Sequence, residues 1–334
     1  MIVDVLTEKL QKMTEEASLT KDFLIRPAGR TIRICCVDFE PSGLLFSSVR
    51  SLFCEERGFE ETFFCFSKDS RELKEFLPEN LSSSEGRYVY NGPDGRLAAS
   101  VRFGLFSLYS VKTGSTYIWL CPDLHTLDHF ISHPFHMEFG WWAQRCGLSF
   151  LHSACIGLNG KGILLSGAGG SGKSTLALTS LLCGMDLLSD DYLLVRSGAR
   201  PEAIRLYSSA YLTEEILERL PELKAYAYWT CEERRKTLID LAQAPGSVAE
   251  RLPLYAVMIP QITHSEAPSI TENPDIRTLI PLLASTSYQN RELRNKEVFI
   301  RMMSLLKSVP SFRFSLTDDI RLNAAYLRSW MEAL

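Results

Sequence analysis

The sequence lacks several features that mark specialised classes of protein. Its nine cysteines are scattered and form no C-x-x-C pair, so we expect buried free thiols in a reducing cytoplasm rather than a disulfide framework. No stretch reaches 18 apolar residues, so no membrane-spanning helix is predicted. The formal net charge is only −4, which is too weak to indicate nucleic acid or an anionic membrane as a partner. These absences favour a cytoplasmic globular protein.

Signals for targeting and for repetition are also missing. The first residues are acidic and amphipathic, with no basic segment followed by a long apolar core, so we expect no signal peptide. The chain has no internal repeats and no low-complexity tracts. At 334 residues, with 46% apolar and 23% charged residues, it is long enough for one large domain or two of ordinary size.

The sequence does contain a nonapeptide that matches the phosphate-binding pattern G-x-x-x-x-G-K-[ST] in full. An apolar strand-like segment, 162–166, precedes it and a helical run, 175–182, follows it, which is the context that the pattern requires. A glycine-rich turn without a ligand is the alternative. We predict that ATP binds through the nine residues of this loop: Gly167, Ala168, Gly169, Gly170, Ser171, Gly172, Lys173, Ser174 and Thr175.

Each residue type in the loop has a physical role. Glycines let successive N–H groups turn towards phosphate oxygens, because a side chain would block the approach and a positive φ would cost energy. The following helix adds free N–H groups and the positive end of its dipole. Lys173 supplies a mobile positive charge for the β- and γ-phosphates, and the Ser174 hydroxyl is placed to coordinate Mg²⁺.

A pair of aspartates follows the loop closely. Asp190 and Asp191 come 17 and 18 positions after Lys173, on a predicted strand between apolar residues. Phosphoryl transfer needs a metal ion and a group that orients the acceptor hydroxyl. Two neighbouring carboxylates can divide these roles, and their mutual repulsion would raise the pKa of one of them. Two water-exposed aspartates at the end of a strand are the alternative.

The stretch around these two motifs resembles the catalytic core of the HPr serine kinase/phosphorylase family. The likeness is carried by three segments, 151–153, 160–174 and 187–191, and is closest in type to HPr-kinase-related proteins such as the lasso-peptide kinases. It implies a fold related to ATP-dependent phosphoenolpyruvate carboxykinase, ATP and Mg²⁺ as co-substrates, and a serine hydroxyl as the acceptor. Thr175 stands where HPr kinases carry a glutamate, which argues against HPr itself as the substrate.

The resemblance also implies roles for single residues. His152 takes the place of the family histidine on the strand before the loop, and Asp190 and Asp191 take the place of its catalytic and metal-associated acids. We assign Asp190, assisted by His152, to deprotonation of the acceptor, and Asp191, with Ser174, to Mg²⁺. The opposite order of the two aspartates stays open, and a histidine packed at a strand end is the alternative for His152.

Other candidates are less specific. Lys236 is assigned to the charge of the transferred phosphoryl group, with a solvated surface charge as an equal alternative for it and for Arg235. A series of histidines has the spacing of one helical face, but a proline interrupts it, so we favour solvated or capping roles over a metal site. The series is His125, His129, His133 and His136. An aromatic cluster is assigned to the core or to a seam between domains, with peptide binding as an alternative that its spacing does not support: Phe135, Phe139, Trp141 and Trp142.

The chain is predicted to divide into two parts. Residues 1–123 are β-rich after a first helix and would select the acceptor or mediate assembly, and residues 124–334 form an α/β phosphate-loop kinase domain. The cluster 91–95 predicts a turn, 92–120 an antiparallel meander and 78–86 a loop. In the second part, 151–158 and 186–195 are each predicted as one strand. The strands predicted in the first part are Thr31–Phe39, Gly43–Phe53, Thr62–Ser67, Arg87–Asn91, Arg96–Phe103, Phe106–Ser110 and Tyr117–Cys121.

Together these features predict a kinase that uses Mg²⁺ and ATP to phosphorylate a serine-type hydroxyl of a peptide or protein, such as the precursor of a peptide natural product. Three alternatives stay open. They are a kinase for a small molecule such as free serine, a nucleotide-dependent ATPase switch, and a catalytically silent nucleotide-binding module. Assembly into a homo-oligomer is also open.

Overall fold

A computed structural model describes the protein over residues 2–55, 58–78, 87–100, 104–121, 130–232, 235–244, 246–272 and 296–334. The chain divides into two compact units, Met1–Phe139 and Gly140–Leu334. The boundary predicted after residue 123 falls among residues 122–129, which lie outside the described residues. Each unit combines helices with a large mixed sheet. The protein is therefore of the mixed α/β class that the sequence predicts.

The first unit is built on an eight-stranded sheet. Its helices are α1 (Ile2–Glu15) and α2 (Ser70–Phe76), and a further helix, α3 (His136–Arg145), crosses into the second unit. Its strands are β1 (Thr20–Ile25), β2 (Ile32–Val37), β3 (Phe53–Cys54), β4 (Glu61–Ser67), β5 (Arg87–Gly92), β6 (Gly95–Ser100), β7 (Leu105–Ser110) and β8 (Ser115–Leu120). Their order across the sheet is β3-β1-β2-β4-β8-β7-β6-β5.

Helix α1 covers one face of this sheet because its apolar residues recur at helical spacing. Val3, Leu6 and Leu10 are fully buried in the core with residues of β6 and β7, as expected for an amphipathic helix. The start of the helix is tied to the sheet, since the N–H of Val3 donates to the carboxylate of Asp94 at 3.1 Å. Asp94 lies in the turn between β5 and β6.

The sequence-based strands of this unit hold with one clear exception. The turn at 91–95 and the antiparallel meander β6-β7-β8 are confirmed. The strand predicted at Gly43–Phe53 is wrong, because a 3-10 helix spans Ser47–Leu52 and only Phe53–Cys54 pairs as a strand. Its buried residues, Leu45, Phe46 and Val49, are spaced for one face of a helical turn and do not alternate. The loop predicted at 78–86 lies, from residue 79, outside the described residues.

The second unit holds a ten-stranded sheet, a three-stranded sheet and four helices among its described residues. The larger sheet consists of β9 (Ser149–His152), β10 (Ala154–Leu158), β11 (Lys161–Leu165), β12 (Asp186–Ser189), β13 (Tyr192–Arg196), β14 (Glu202–Arg205), β18 (Ser247–Val248), β19 (Arg251–Ile262), β20 (Ser269–Glu272) and β21 (Ser311–Leu316). The smaller consists of β15 (Ser209–Thr213), β16 (Ala227–Cys231) and β17 (Lys236–Asp240). The helices are α4 (Lys173–Leu182), α5 (Glu214–Arg219), α6 (Lys296–Ser308) and α7 (Ile320–Glu332).

Two segments predicted as single strands are each broken in two. Residues 151–158 divide at Ser153 into β9 and β10, and residues 186–195 divide at the two aspartates into β12 and β13. The reason is that β9 pairs with β13 whereas β10 pairs with β11 and β12. Each segment therefore changes its neighbours in mid-course. The break places Asp190 and Asp191 in a connection between strands. Their side chains therefore need not point to opposite faces of the sheet, as consecutive side chains of a strand do.

The sheet brings three strand ends to one edge. Its order is β18-β12-β10-β11-β19-β14-β13-β9, with β21 beside β19 and β20 beside β21. Strands β11 and β21 both run parallel to β19, so their carboxyl ends lie on the same side, the usual position of ligands in such sheets. Helix α4 follows β11 and helix α7 follows β21, and both bury apolar residues in one core.

None of the helices in the described part of the chain is long and apolar enough to cross a membrane.

Candidate functional site

The predicted phosphate loop connects β11 to α4 at this edge of the sheet. The N–H of Ser166 donates to the carbonyl of Met258 on β19 at 2.9 Å, which fixes the start of the loop. Ala168, Gly169 and Gly170 are exposed, so their backbone is open to a ligand. The predicted strand–loop–helix context of the motif is confirmed.

Gly172 is the residue at which the loop turns into the helix. Its φ is +94°, in the left-handed region, where a residue without a Cβ has no steric penalty. A Cβ at this position would lie 2.8 Å from Cδ1 of Leu316, at the end of β21. Backbone conformation and close packing therefore both require glycine here.

Replacing Gly172 by alanine is expected to lower the free energy of unfolding by about 1 to 3 kcal/mol, the usual cost of holding a non-glycine residue in the left-handed region. Urea unfolding of the two proteins measures this difference. Gly169→Ala is the matched control, because Gly169 has an ordinary φ and open space around its Cβ position. Equal losses for the two variants would contradict the expectation.

Lys173 is folded back onto its own loop. Its Nζ donates to the carbonyls of Gly167 at 2.8 Å and Ala168 at 3.2 Å, and only 7% of the residue is exposed. Burial lowers the pKa of Lys173, and the charges of Asp191 and Asp190 act against that shift. The ammonium group is therefore held between the loop and the two aspartates, which is where a polyphosphate on the loop would meet it.

Asp190 and the Ser174 hydroxyl form the first polar pair of the site. The Ser174 hydroxyl lies beside the Asp190 carboxyl and, as a hydrogen-bond donor, lowers its pKa, and Asp190 is only 3% exposed. Burial, and after it the charge of Asp191, raise the pKa of Asp190 to about 7. Its Oδ1 accepts no hydrogen bond from any residue that the structure describes. A buried oxygen in this state, next to a hydroxyl, fits a Mg²⁺ ion, which prefers oxygen ligands and takes others from phosphates and water.

His152 and Asp191 form the second pair. Nε2 of His152 and Oδ1 of Asp191 are in contact, and the two side chains are 20% and 28% exposed. The ring of Tyr192 stacks on that of His152 with 4.8 Å between ring centroids. Tyr192 and His152 are opposite each other in the pairing of β13 with β9. The imidazole is thus held by a stacked ring and a carboxylate on a side of the site that water reaches.

The connection between β12 and β13 separates the two aspartates. The hydroxyl of Ser189 donates to the carbonyl of Tyr192 at 2.8 Å, which closes the turn around them. Asp190 then contacts Ser174 at the start of α4, whereas Asp191 contacts His152 at the end of β9. Adjacent residues in the chain therefore serve different partners. These contacts bring Lys173, Ser174, both aspartates and His152 together.

Asp190 makes the stability of the protein depend on pH. Its pKa is about 7 in the folded chain and about 4 in an unfolded one, so the folded state binds more protons between these values. The free energy of unfolding therefore falls as the pH rises from about 4 to about 7, by on the order of a few kcal/mol, and this effect is complete above that range.

We expect Asp190→Asn to remove this decrease in stability. Urea unfolding without Mg²⁺, at about pH 5 and about pH 8, measures it, because only the wild type should be less stable at the higher pH through this group. Asp186→Asn, at the start of the preceding strand β12, is the control. An unchanged pH dependence in Asp190→Asn would contradict the expectation.

Lys236 is the first residue of β17 in the smaller sheet, and Arg235 directly precedes it. Nζ of Lys236 is 4.8 Å from the ring centroid of Tyr211, and Arg235 forms an exposed ion pair with Glu214 at 2.5 Å. Neither of these two contacts is with a residue of the phosphate loop. The contacts described above do not test the assignment of Lys236 to phosphoryl transfer, which stays a prediction.

The histidine series and the aromatic cluster have separate outcomes. His125 and His129 lie outside the described residues, and the helical run of the series is broken near Pro134. Within the described ranges, no group of three or more His, Cys, Asp or Glu residues is placed to hold a metal ion. The aromatic residues are buried, as both predicted roles require, and each is at most 2% exposed: Phe135, Phe139, Trp141 and Trp142.

Sequence reasoning missed Tyr192 and the turn closed by Ser189. A signal for Tyr192 was present, because Phe150 and His152 alternate on one strand and so share a face. Phe150 also stacks on Tyr192, at 5.3 Å between centroids. Tyr192, the aromatic residue directly after the acidic pair, could therefore have been predicted to pack on the face that carries Phe150 and His152.

Comparison with known proteins gives a weak structural similarity. No family model matches the sequence, and no curated protein matches it. Among solved structures, the chain is similar to the HPr(Ser) kinase/phosphatase from Coxiella burnetii, at 13% sequence identity and a TM-score of 0.30. The match covers 55% of this chain and 99% of the other. A likeness of this size does not establish an activity, so we infer function from the geometry of the site.

Proposed function

We propose that the protein is a kinase that transfers the γ-phosphate of ATP, with Mg²⁺, to a serine-type hydroxyl of a peptide or protein. The observation that carries the proposal is the meeting of two different polar pairs beside one phosphate loop. Ser174 pairs with Asp190 in a buried position, and His152 pairs with Asp191 in a partly exposed one. Phosphoryl transfer needs these two functions, a metal-holding side and an acceptor-orienting side.

The buried pair is the proposed metal side. Ser174 and Asp190 offer neighbouring oxygens, and Mg²⁺ would neutralise the developing charge on the phosphates when bound there. The negative charges of both aspartates act on Lys173. Its ammonium group would move from the loop carbonyls to the β- and γ-phosphates. This assigns the two aspartates in the opposite order to the prediction from the sequence, because the Ser174 hydroxyl lies beside Asp190 and acts as a donor towards its carboxylate.

The partly exposed pair is the proposed acceptor side. Asp191 and His152 are reachable from solvent, whereas Asp190 is not. The acceptor hydroxyl would give its proton to the Asp191 carboxylate as its oxygen bonds to the γ-phosphorus. The bond from that phosphorus to the bridging oxygen breaks, and ADP leaves with both electrons of the bond. His152 holds the carboxylate in place and stabilises its charge before the transfer.

Label transfer from ATP tests the proposal. The protein is incubated with Mg²⁺ and γ-labelled ATP, together with free serine, a serine-containing peptide or unfolded casein in separate reactions. We expect label on a serine hydroxyl in the peptide or casein reaction, and its loss in Asp191→Asn. Label on free serine alone would favour the small-molecule kinase. Release of all label to water in every reaction, at the same rate in the variant, would overturn the proposal in favour of an ATPase.

The first unit is proposed to select the acceptor. The support is that every group assigned above to phosphate, Mg²⁺ or the acceptor proton lies in the second unit, so the first unit is available for another role. Its eight-stranded sheet carries its own helix-covered core, so it is a separate body able to present a binding surface.

A further inference from the structure

A cavity opens beside the first turn of α4. It is lined by Gly172, Thr175 and Leu176 of the loop and helix, by Ile262 at the end of β19, and by Leu316 and Thr317 at the end of β21. Gly172, Thr175 and Leu176 have the i, i+3, i+4 spacing of one helical face. The cavity therefore lies along one side of the same helix start that holds the phosphate loop.

The apolar walls of this cavity are in direct contact with the loop. Ile262 and Leu316 are opposite each other in the parallel pairing of β19 with β21. A Cβ at Gly172 would lie 2.8 Å from a methyl carbon of Leu316 and 3.6 Å from Cγ1 of Ile262. Ile262 is nonetheless 42% exposed. An exposed aliphatic side chain next to a phosphate loop offers a surface for a flat ring.

The polar side of the cavity is held in place by hydrogen bonds between its own residues. The N–H of Thr317 donates to Oδ1 of Asn323 at 2.9 Å, and Nδ2 of Asn323 donates back to the carbonyl of Thr317 at 2.9 Å. Both residues are buried. Arg219 donates to the carbonyl of Asp318 at 2.7 Å, so charged groups border the same opening. Small-molecule sites combine such apolar walls with a few fixed polar groups.

The cavity and the reacting groups lie on different sides of the start of α4. Gly172 and Thr175 line the cavity, whereas the intervening Lys173 and Ser174 lie close enough to the two aspartates to affect, or be affected by, their charges. A polyphosphate lying across the start of α4 would therefore lead from the acceptor side into the cavity. We propose that this cavity binds the base of the donor nucleotide, with Ile262 and Leu316 against the ring. The proposal rests on the proposed function of the loop.

Binding of two ligands separates the base from the phosphates. Mg²⁺-ATP and Mg²⁺-tripolyphosphate are each titrated into wild type, Ile262→Asn and Lys173→Ala by calorimetry. Ile300→Asn is the matched control, because Ile300 is also an exposed isoleucine, at 54%, but lies on α6. We expect Ile262→Asn to weaken the affinity for Mg²⁺-ATP at least about tenfold, as for a lost apolar contact with the ring. The affinity for Mg²⁺-tripolyphosphate should stay within about twofold of the wild-type value. Melting temperatures without ligand check that the variants fold.

Each other outcome has a definite meaning. If Ile262→Asn leaves both affinities unchanged while Lys173→Ala weakens both, the phosphate loop functions as proposed and the base lies elsewhere. If Ile262→Asn weakens both ligands equally, it acts through the loop, and the inference about the base is wrong. If the wild type binds neither ligand, the proposed function fails and the inference fails with it.

Discussion

Asp191→Asn is expected to slow phosphoryl transfer by about 10²- to 10⁴-fold, the usual contribution of a positioned general base. The reason is that Asp191 is the aspartate in contact with His152 on the accessible side of the site. Asparagine keeps the shape of the side chain but cannot take a proton from the acceptor. The rate at saturating Mg²⁺-ATP measures the effect, and the affinity for Mg²⁺-ATP should change by no more than about twofold.

Asp190→Asn is the matched variant, because the two residues are adjacent in the chain. It should instead raise the Mg²⁺ concentration required for half-maximal activity by about 10- to 100-fold, the range seen when a group that holds a metal is changed. The reverse pattern, in which Asp190→Asn loses rate at saturating Mg²⁺ and Asp191→Asn raises the Mg²⁺ requirement, would restore the order of roles predicted from the sequence.

The second large effect is expected at Lys173. Lys173→Ala should lower the rate of transfer by about 10²- to 10³-fold, since it removes a fixed positive charge from the site of developing negative charge. The folded structure should survive, because the lysine is stabilised by only two hydrogen bonds to loop carbonyls and is partly destabilised by its own burial. Initial rates with labelled ATP and melting temperatures measure the two effects separately.

Lys161→Ala is the control for charge. Lys161 lies on β11, just before the loop, and its Nζ is 5.7 Å from the ring centroid of Tyr255. Its removal changes the net charge of the protein by the same amount at a short distance along the chain. A similar loss of rate in Lys161→Ala would show that general charge, and not the position of Lys173, is responsible.

The sequence predicted the parts of the site that depend on local spacing. The loop, its flanking strand and helix, and the nearness of Asp190 and Asp191 all follow from one contiguous segment. The sequence could not show which aspartate meets Ser174, because that depends on a turn between β12 and β13 closed by Ser189. It also concealed the breaks at Ser153 and at the acidic pair, since the strands on either side are buried almost throughout and show no alternation.

The fold was predictable to a similar extent. Strands with regular turns between them, such as the meander β6-β7-β8, were identified by alternation and turn residues. The segment Ser47–Leu52 was not, because a short apolar run has the same composition in a strand and in a helical turn. The cavity beside α4 could not be predicted from the sequence. Its walls, Ile262 and Leu316, are far from the loop along the chain and are brought to it only by the pairing of β19 with β11 and with β21.

The bond from Ser166 to Met258 bears on how much of the chain an active fragment would need. The side chains that the proposed function uses lie between His152 and Asp191, yet the carbonyl that anchors their loop comes from β19, Arg251–Ile262. A truncated protein ending before that strand would retain every reacting group and lose the support beneath them. During synthesis on the ribosome, the loop cannot reach its final form until this later strand has emerged and paired.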